Sequence, residues 1–297
     1  MSRLLICSEV DLPSVNMRSC LIKKGGWEDL GSEGGISYMM KGNAAMMSIS
    51  DMHIRHELPE EEAEKFGISV DDIVVMSKHS AKSGTPALTA HPIGNYHENE
   101  FGGRAETLAP ASPALMTDAL RRICAYNKEE GTQTCFEVTH HGPFSKKPIF
   151  YIEIGSDASN WGNMAAASTL ADVISDLDSD NGALRLVGVG GGHYAPRFTE
   201  VALKYRVSFG HMVPNYQLEG RDDEDIARML RDACEATGTK TVYMHRKSMK
   251  KPEEKRISGI IASAGLEQVQ SADLDPLSGN PRRSRRYLCL GWRSSIR

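Results

Sequence analysis

The chain alternates short, uniformly apolar runs with longer stretches in which apolar residues recur every three or four positions. Runs of the first kind, rich in β-branched and aromatic residues, read as strands at 3–10, 72–80, 134–143, 147–157, 183–189, 206–213, 241–245 and 286–292. Segment 37–49 splits around Lys41, Gly42 and Asn43, the pattern of a hairpin. The second period predicts helices at 14–25, 113–131, 160–177, 196–205, 223–236 and 252–264. In the helix at 113–131, Leu115, Met116, Ala119, Leu120 and Ile123 share one face, and the helix at 160–177 has a small-residue face suited to close packing on a sheet. The acidic stretch 59–67 reads as a solvated helical turn. Segment 81–112 has little periodicity and reads as a long loop, a type that is usually functional or mobile.

Strands alternating with helices predict an α/β fold with a mixed, mostly parallel sheet flanked by helices. A boundary near 214–221 would separate a core at 1–216 from a C-terminal α/β part at 217–297, packed on the core as one unit. No internal repeat is visible.

Composition narrows the class without choosing a function. A chain of 297 residues buries roughly 75% of its unfolded surface, so it needs no disulfide or metal staple. The net charge of −4 does not mark a nucleic-acid binder, although a local basic patch is compatible with it. Six scattered cysteines form no CxxC pair, which argues against a cysteine zinc knuckle and a secreted disulfide framework. The first residues lack a signal-peptide apolar region, and no apolar run reaches membrane-spanning length. The expectation is a soluble, cytoplasmic, monomeric protein with no membrane or DNA partner.

Candidate chemistry concentrates in the histidines. His79, His91 and His97 flank the long loop, His140 and His141 end a strand, and His193 and His211 follow later strands. With a parallel sheet, His140 or His141, Asp157, His193 and His211 fall near carboxyl ends of strands, the usual edge for a site. Adjacent residues of a regular strand point to opposite faces, so only one of His140 and His141 is expected to face it. Neutral histidines and carboxylates are zinc ligands where cysteine is absent. No HExxH spacing occurs, so a metal is suggested rather than fixed, and hydrogen-bonded structural histidines remain the alternative.

"GVGGGHYAPRFTE" (188–200) places Gly190, Gly191 and Gly192 between a strand and a helix that opens on Pro196. It is neither a GxGxxG fingerprint nor a Walker loop. Two readings stay open: a tight packing turn, or exposed N–H groups beside His193 and Arg197 that hold an oxyanion or phosphate. Lys78 and Lys82 lie in the polar segment 77–95. The basic run "RRSRR" (282–286) fits a solvated face better than a phosphate contact.

"SKHSAKSGTPALTAHPIGN", "EVTHHGP", "IEIGS" and "GVGGGHYAPRFTEVAL" together resemble the D-aminoacyl-tRNA deacylase family of archaeal type, also found in plants. The resemblance runs in order from the first strand to about residue 216 and weakens beyond it. It implies hydrolysis of the ester joining a D-amino acid to the 3′ end of tRNA, and zinc as cofactor. It also implies a core like that of peptidyl-tRNA hydrolases and purine nucleoside phosphorylases. Within the matching motifs, His91, His140, Glu153 and His193 are expected around the reacting centre and as metal ligands. Gly191 and Gly192, with Gly190, would serve the oxyanion through their backbone. Lys78, Lys82 and Arg197 would hold terminal phosphates, with Tyr194 also on the substrate. A nucleoside phosphorylase-like or other phosphate-ester enzyme on the same fold and a non-catalytic RNA-binding module are the alternatives.

Overall fold

The computed structural model describes residues 2–179 and 182–277. The run 282–286 and the strand expected at 286–292 lie outside the described residues. Ten strands precede residue 180: β1 (Arg3–Ser8), β2 (Glu28–Glu33), β3 (Ile36–Lys41), β4 (Ala44–Ile49), β5 (Asp72–Lys78), β6 (Ala87–Pro92), β7 (Gly94–Asn95), β8 (Thr107–Leu108), β9 (Gln133–Phe136) and β10 (Ile149–Gly155). Eight of them form one sheet in the order β2-β3-β4-β1-β5-β10-β6-β9, while β7 and β8 make a two-stranded ribbon. The centre β4-β1-β5-β10 is parallel; β6 runs against β10, with β9 parallel to β6.

A second, fully parallel sheet is ordered β12-β11-β13-β14, from β11 (Leu184–Val189), β12 (Val207–Val213), β13 (Thr241–Met244) and β14 (Glu267–Val269). The fold is therefore mixed α/β with mostly parallel sheets flanked by helices. The second sheet takes strands from both sides of residue 216.

Helices form where caps and apolar stripes coincide. On one face of the first sheet lie α1 (Leu12–Lys23), α3 (Pro113–Tyr126) and α5 (Met164–Asp176). Asp11 caps α1 by accepting from Ser14 N, and Asn163 caps α5 by accepting from Ala165 N and Ala166 N. Their apolar stripes cover Leu5, Met46, Val74, Met76, Phe150 and Ile152. Each fully buried aliphatic side chain there contributes about 1.5–3 kcal/mol. This cluster continues into the second sheet through Phe198 on α6 (Pro196–Lys204), and Leu186, Phe209 and Tyr243, so one core joins both sheets. The opposite face of the second sheet is covered by α8 (Asp223–Thr237) and α9 (Lys251–Ser263). Short α4 (Ala158–Trp161) and α7 (Asn215–Leu218) follow β10 and β12.

Two expectations are corrected here. Segment 81–112 is not structureless: it contains β6, buried at every residue. A strand buried on both faces shows no alternation, so its pattern is silent. The acidic turn, α2 (Pro59–Lys65), is not wholly solvated either, because Glu60 is buried and accepts from Ser145 Oγ (2.9 Å) and Lys146 N (2.7 Å).

Candidate active site

The far face of the first sheet carries the second apolar cluster, and this face turns polar toward one end. Along β10, Ile149, Tyr151 and Glu153 alternate onto it, and Tyr151 pairs directly with His91 on β6. The chain leaving β9 crosses the same end. Glu137 N donates to Ala90 O (3.1 Å), and a bridge joins Glu137 to Tyr194, just past the glycine turn. The site therefore lies where the two sheets meet.

Glu137 is its centre. The carboxylate is fully buried, and Oε2 accepts from His193 Nε2 (2.9 Å) and His79 Nδ1 (3.0 Å), with His140 Nε2 at 3.6 Å. Glu153 Oε2 lies 3.7 Å from His79 Nδ1 and 3.4 Å from His91 Nε2. Burial pushes both carboxyls up, but the hydrogen bonds from His193 and His79 on Glu137, and the charge of His91 with hydrogen bonds from His79 on Glu153, outweigh it and hold both below the ordinary range. Burial likewise disfavours charge on His79, yet Glu137 and Glu153 raise it to about 11. His79 is thus the cation that balances the pair, and its Nε2 faces Tyr194 Oη at 2.8 Å.

A three-histidine face adjoins this centre. His91, His140 and His141 bring ligand atoms within 4.8 Å of one another. Each Nδ1 is committed to a backbone carbonyl: His91 to Pro92 O (3.1 Å), His140 to Val138 O (2.8 Å) and His141 to Gly142 O (2.7 Å). For His140 and His141 that fixes the tautomers and leaves the Nε2 lone pairs free, the usual arrangement behind metal-binding histidines. Against burial, Glu153 raises the pKa of His91, whose Nε2 faces its carboxylate, so a metal there would displace that proton. His91 Nε2 is buried without a hydrogen-bond partner, as is Glu137 Oε1. Burial, followed by repulsion from neighbouring histidines, holds His140 and His141 well below the ordinary histidine range, so both are neutral. Neutral imidazoles are what a metal requires. Tyr151 backs the face, its ring stacked 5.0 Å from His91 and its hydroxyl donating to Gly142 O (3.1 Å).

The structure brings His91, His140, Glu153 and His193 together, but in different donor groups. His91 and His140 share the three-histidine face, Glu153 groups with His91 and Glu137, and His193 groups with His79 and Glu137. The expectation that only one of His140 and His141 faces the site is corrected. The strand ends at Phe136, and His141 has a left-handed backbone (φ 45), so strand alternation no longer applies. The oxyanion role expected for Gly190 and Gly191 is also corrected: their N–H groups donate to Val213 O (2.8 Å) and Ser248 Oγ (2.9 Å). Gly192 N–H has no such partner among the described residues. Arg197 directs its guanidinium to Tyr243 Oη (2.6 Å), Glu200 (2.7 Å) and Ser271 Oγ (2.8 Å) rather than to open solvent. Lys78 sits 5.0 Å above the Trp161 ring, and Lys82 is exposed on the following turn.

Glu137, which the sequence did not single out, completes the site with His79, expected only to flank the long loop, and His141, expected as an alternative to His140. A lone carboxylate inside an apolar run, as in "TCFEV", is the signal that points to Glu137.

Two consequences are testable at this level. Gly190 has φ +102, and an added Cβ would lie 2.7 Å from Ser248 Oγ. Gly190→Ala is therefore expected to lower stability by about 1–3 kcal/mol, read as a reduced Tm. An unchanged Tm would contradict the packing role of the turn.

His211, though on a neighbouring strand, is no part of the cluster. Its Nε2–H donates to Ala109 O (2.9 Å) and its Nδ1 accepts from Thr139 Oγ1 (3.1 Å). Burial lowers its pKa to about 4 from an ordinary 6.5. The folded state thus resists a proton that the unfolded chain takes. Its contribution is complete above the unfolded value and lost as pH falls toward the folded one, by about 3 kcal/mol at most. Denaturant unfolding between about pH 7 and pH 4 should show wild type losing more stability than His211→Gln. A difference between the two that is constant with pH would contradict this.

The model of the D-aminoacyl-tRNA deacylase family matches residues 66–269. A D-aminoacyl-tRNA deacylase of Methanococcoides burtonii is 33% identical over 94% of this chain, which spans 58% of that longer protein. One from Methanosarcina acetivorans is 33% identical over 91% of this chain and 92% of its own length. The crystal structure of a conserved protein described as of unknown function superposes with a TM-score of 0.81 at 28% identity, covering 92% of this chain and 98% of that one.

Proposed function

Because the chain belongs to the D-aminoacyl-tRNA deacylase family, we propose that it hydrolyses the ester between a D-amino acid and the 3′-terminal ribose of tRNA at the Glu137 centre. The observation that carries this is the pairing of a buried carboxylate with an accessible histidine. Glu137 is fully buried, whereas the His193 side chain is 40% exposed. An ionised carboxylate only accepts, so His193 donates from Nε2, and in its neutral form Nδ1 is the bare nitrogen. That nitrogen can take a proton from an attacking water and return it to the departing ribose hydroxyl, as a general base and then a general acid. The protonated His79 holds Glu137 ionised and orients Tyr194. The Tyr194 hydroxyl and Gly192 N–H are the donors on this side suited to the developing oxyanion.

The zinc expected from the resemblance finds fitting donors in His91, His140 and His141, which each bring a ring nitrogen within 4.8 Å of the others and whose Nδ1 atoms are anchored. When bound, such an ion acidifies water and polarises the ester carbonyl. Glu153 Oε2, 3.4 Å from His91 Nε2, would be a further donor on that side, and Tyr151 packs on the His91 ring.

The test is a comparison of reactions. Purified protein is incubated with D-Tyr-tRNA, with L-Tyr-tRNA, and with purine nucleosides plus phosphate. Release of D-tyrosine well above L-tyrosine, without phosphorolysis, is the expected result. Phosphorolysis with no deacylation would replace this reading with the nucleoside-enzyme alternative. Among the described residues no helix is long and apolar enough to cross a membrane.

A further inference from the structure

Resting on the deacylase reading, we propose that Trp161, with Lys78 above its ring, is the platform for the substrate's 3′-terminal adenine. Base and esterified ribose belong to one nucleotide, so such a platform must adjoin the reacting centre. Trp161 does so through a single hydrogen bond: its indole Nε1–H donates to His79 O (2.9 Å), and the His79 ring is held by Glu137. The indole is thereby fixed just outside the site while remaining partly exposed.

Its surroundings are open and apolar. Asn16 Nδ2 donates to Trp161 O (3.4 Å), tying α4 to α1, and Leu12 lies one turn before Asn16 on the same helical face. Leu12 is 52% exposed and Val10 is 57% exposed. Scattered exposed aliphatics carry no message, but Leu12 shares a helical face with Asn16, whose amide reaches the backbone of the residue that bears the indole.

Charge selects the occupant. Lys78 Nζ stands 5.0 Å from the indole centroid, and Lys82 follows on the next turn. The acyl half of the substrate carries an α-ammonium, which these cations repel. The nucleotide half carries phosphates, which they attract. The neighbouring carboxylates do not reverse this. Asp157 accepts from Ser159 and Asn160 and stays ionised, and the buried Asp11 accepts from Lys78 N (3.3 Å), but it is the Lys78 ammonium that stands over the ring. An adenine stacks on the indole face that Lys78 covers in the free protein, and the ammonium moves from ring to phosphate.

The experiment measures binding of uncharged tRNA with an intact 3′ end, and of the same tRNA lacking its terminal adenosine, to the full chain and to Trp161→Ala and Trp161→Leu. Wild type should bind intact tRNA about tenfold or more tightly than trimmed tRNA, the range of one base–aromatic stack. Both variants should lose that preference while binding trimmed tRNA as wild type does, and the leucine variant preserves apolar bulk if alanine disturbs folding. Equal weakening toward both tRNAs, or no weakening, would overturn the platform. If wild type deacylates D-Tyr-tRNA normally in that event, only the platform falls. If it neither binds tRNA nor deacylates, the deacylase reading falls with it.

Discussion

Glu137→Gln is expected to lower kcat/KM for D-aminoacyl-tRNA by about 10²–10⁴-fold. One oxygen of Glu137 now receives two ring N–H donors, from His193 and His79, and has no exposure to water. The amide keeps the shape but removes the charge, so His79 loses the nearer of the two carboxylates that keep it protonated and His193 its fixed tautomer. Removing one partner of a buried ionic set costs about 3–5 kcal/mol, and a lower Tm should accompany the kinetic loss. The kinetic effect should fall mainly on kcat, because the group acts on a proton in flight rather than on bound tRNA. A variant that keeps wild-type kcat would remove Glu137 from the mechanism.

His91→Ala and His140→Ala are expected to abolish zinc retention and, with it, deacylation. Loss of a supporting hydrogen bond alone typically costs 10–100-fold in metal affinity, and loss of a ligand costs more. The comparison that makes this informative is His211→Gln. His211 is as buried as His91, but its two nitrogens are already satisfied by Ala109 and Thr139. It should retain metal and activity near neutral pH. Zinc content by elemental analysis, measured on folded protein, separates these outcomes, and full zinc in His91→Ala would move the metal elsewhere.

The sequence made the frame legible because most elements advertise themselves. The helix α3 has Pro113 at its first turn and an unbroken apolar stripe, and the alternation of β11, α6 and β12 follows directly from pattern. What escaped was of three physical kinds. Strand β6 is buried on both faces and so has no period to read. The position of His141 depends on a left-handed backbone that no strand rule anticipates. The glycine and Arg197 roles depended on competing partners. Ser248 and Val213 take the glycine N–H groups, and Tyr243 takes the guanidinium, all from elements distant in sequence. Only Glu200, three residues along the same helix, was visible as a rival for Arg197. The histidines gathered as their strand-end positions suggested, and Glu153 joined them as expected, but Glu137 entered the site only because the chain leaving β9 carries it beside them.

The central claim is that ester hydrolysis takes place at this histidine–carboxylate centre with a metal on its three-histidine face. Zinc content and the rate of D-tyrosine release from D-Tyr-tRNA, followed on one sample through chelation and zinc return, test it most directly. Activity should fall and recover in proportion to bound zinc, with L-Tyr-tRNA left largely intact throughout. Undiminished deacylation by metal-free protein would contradict it.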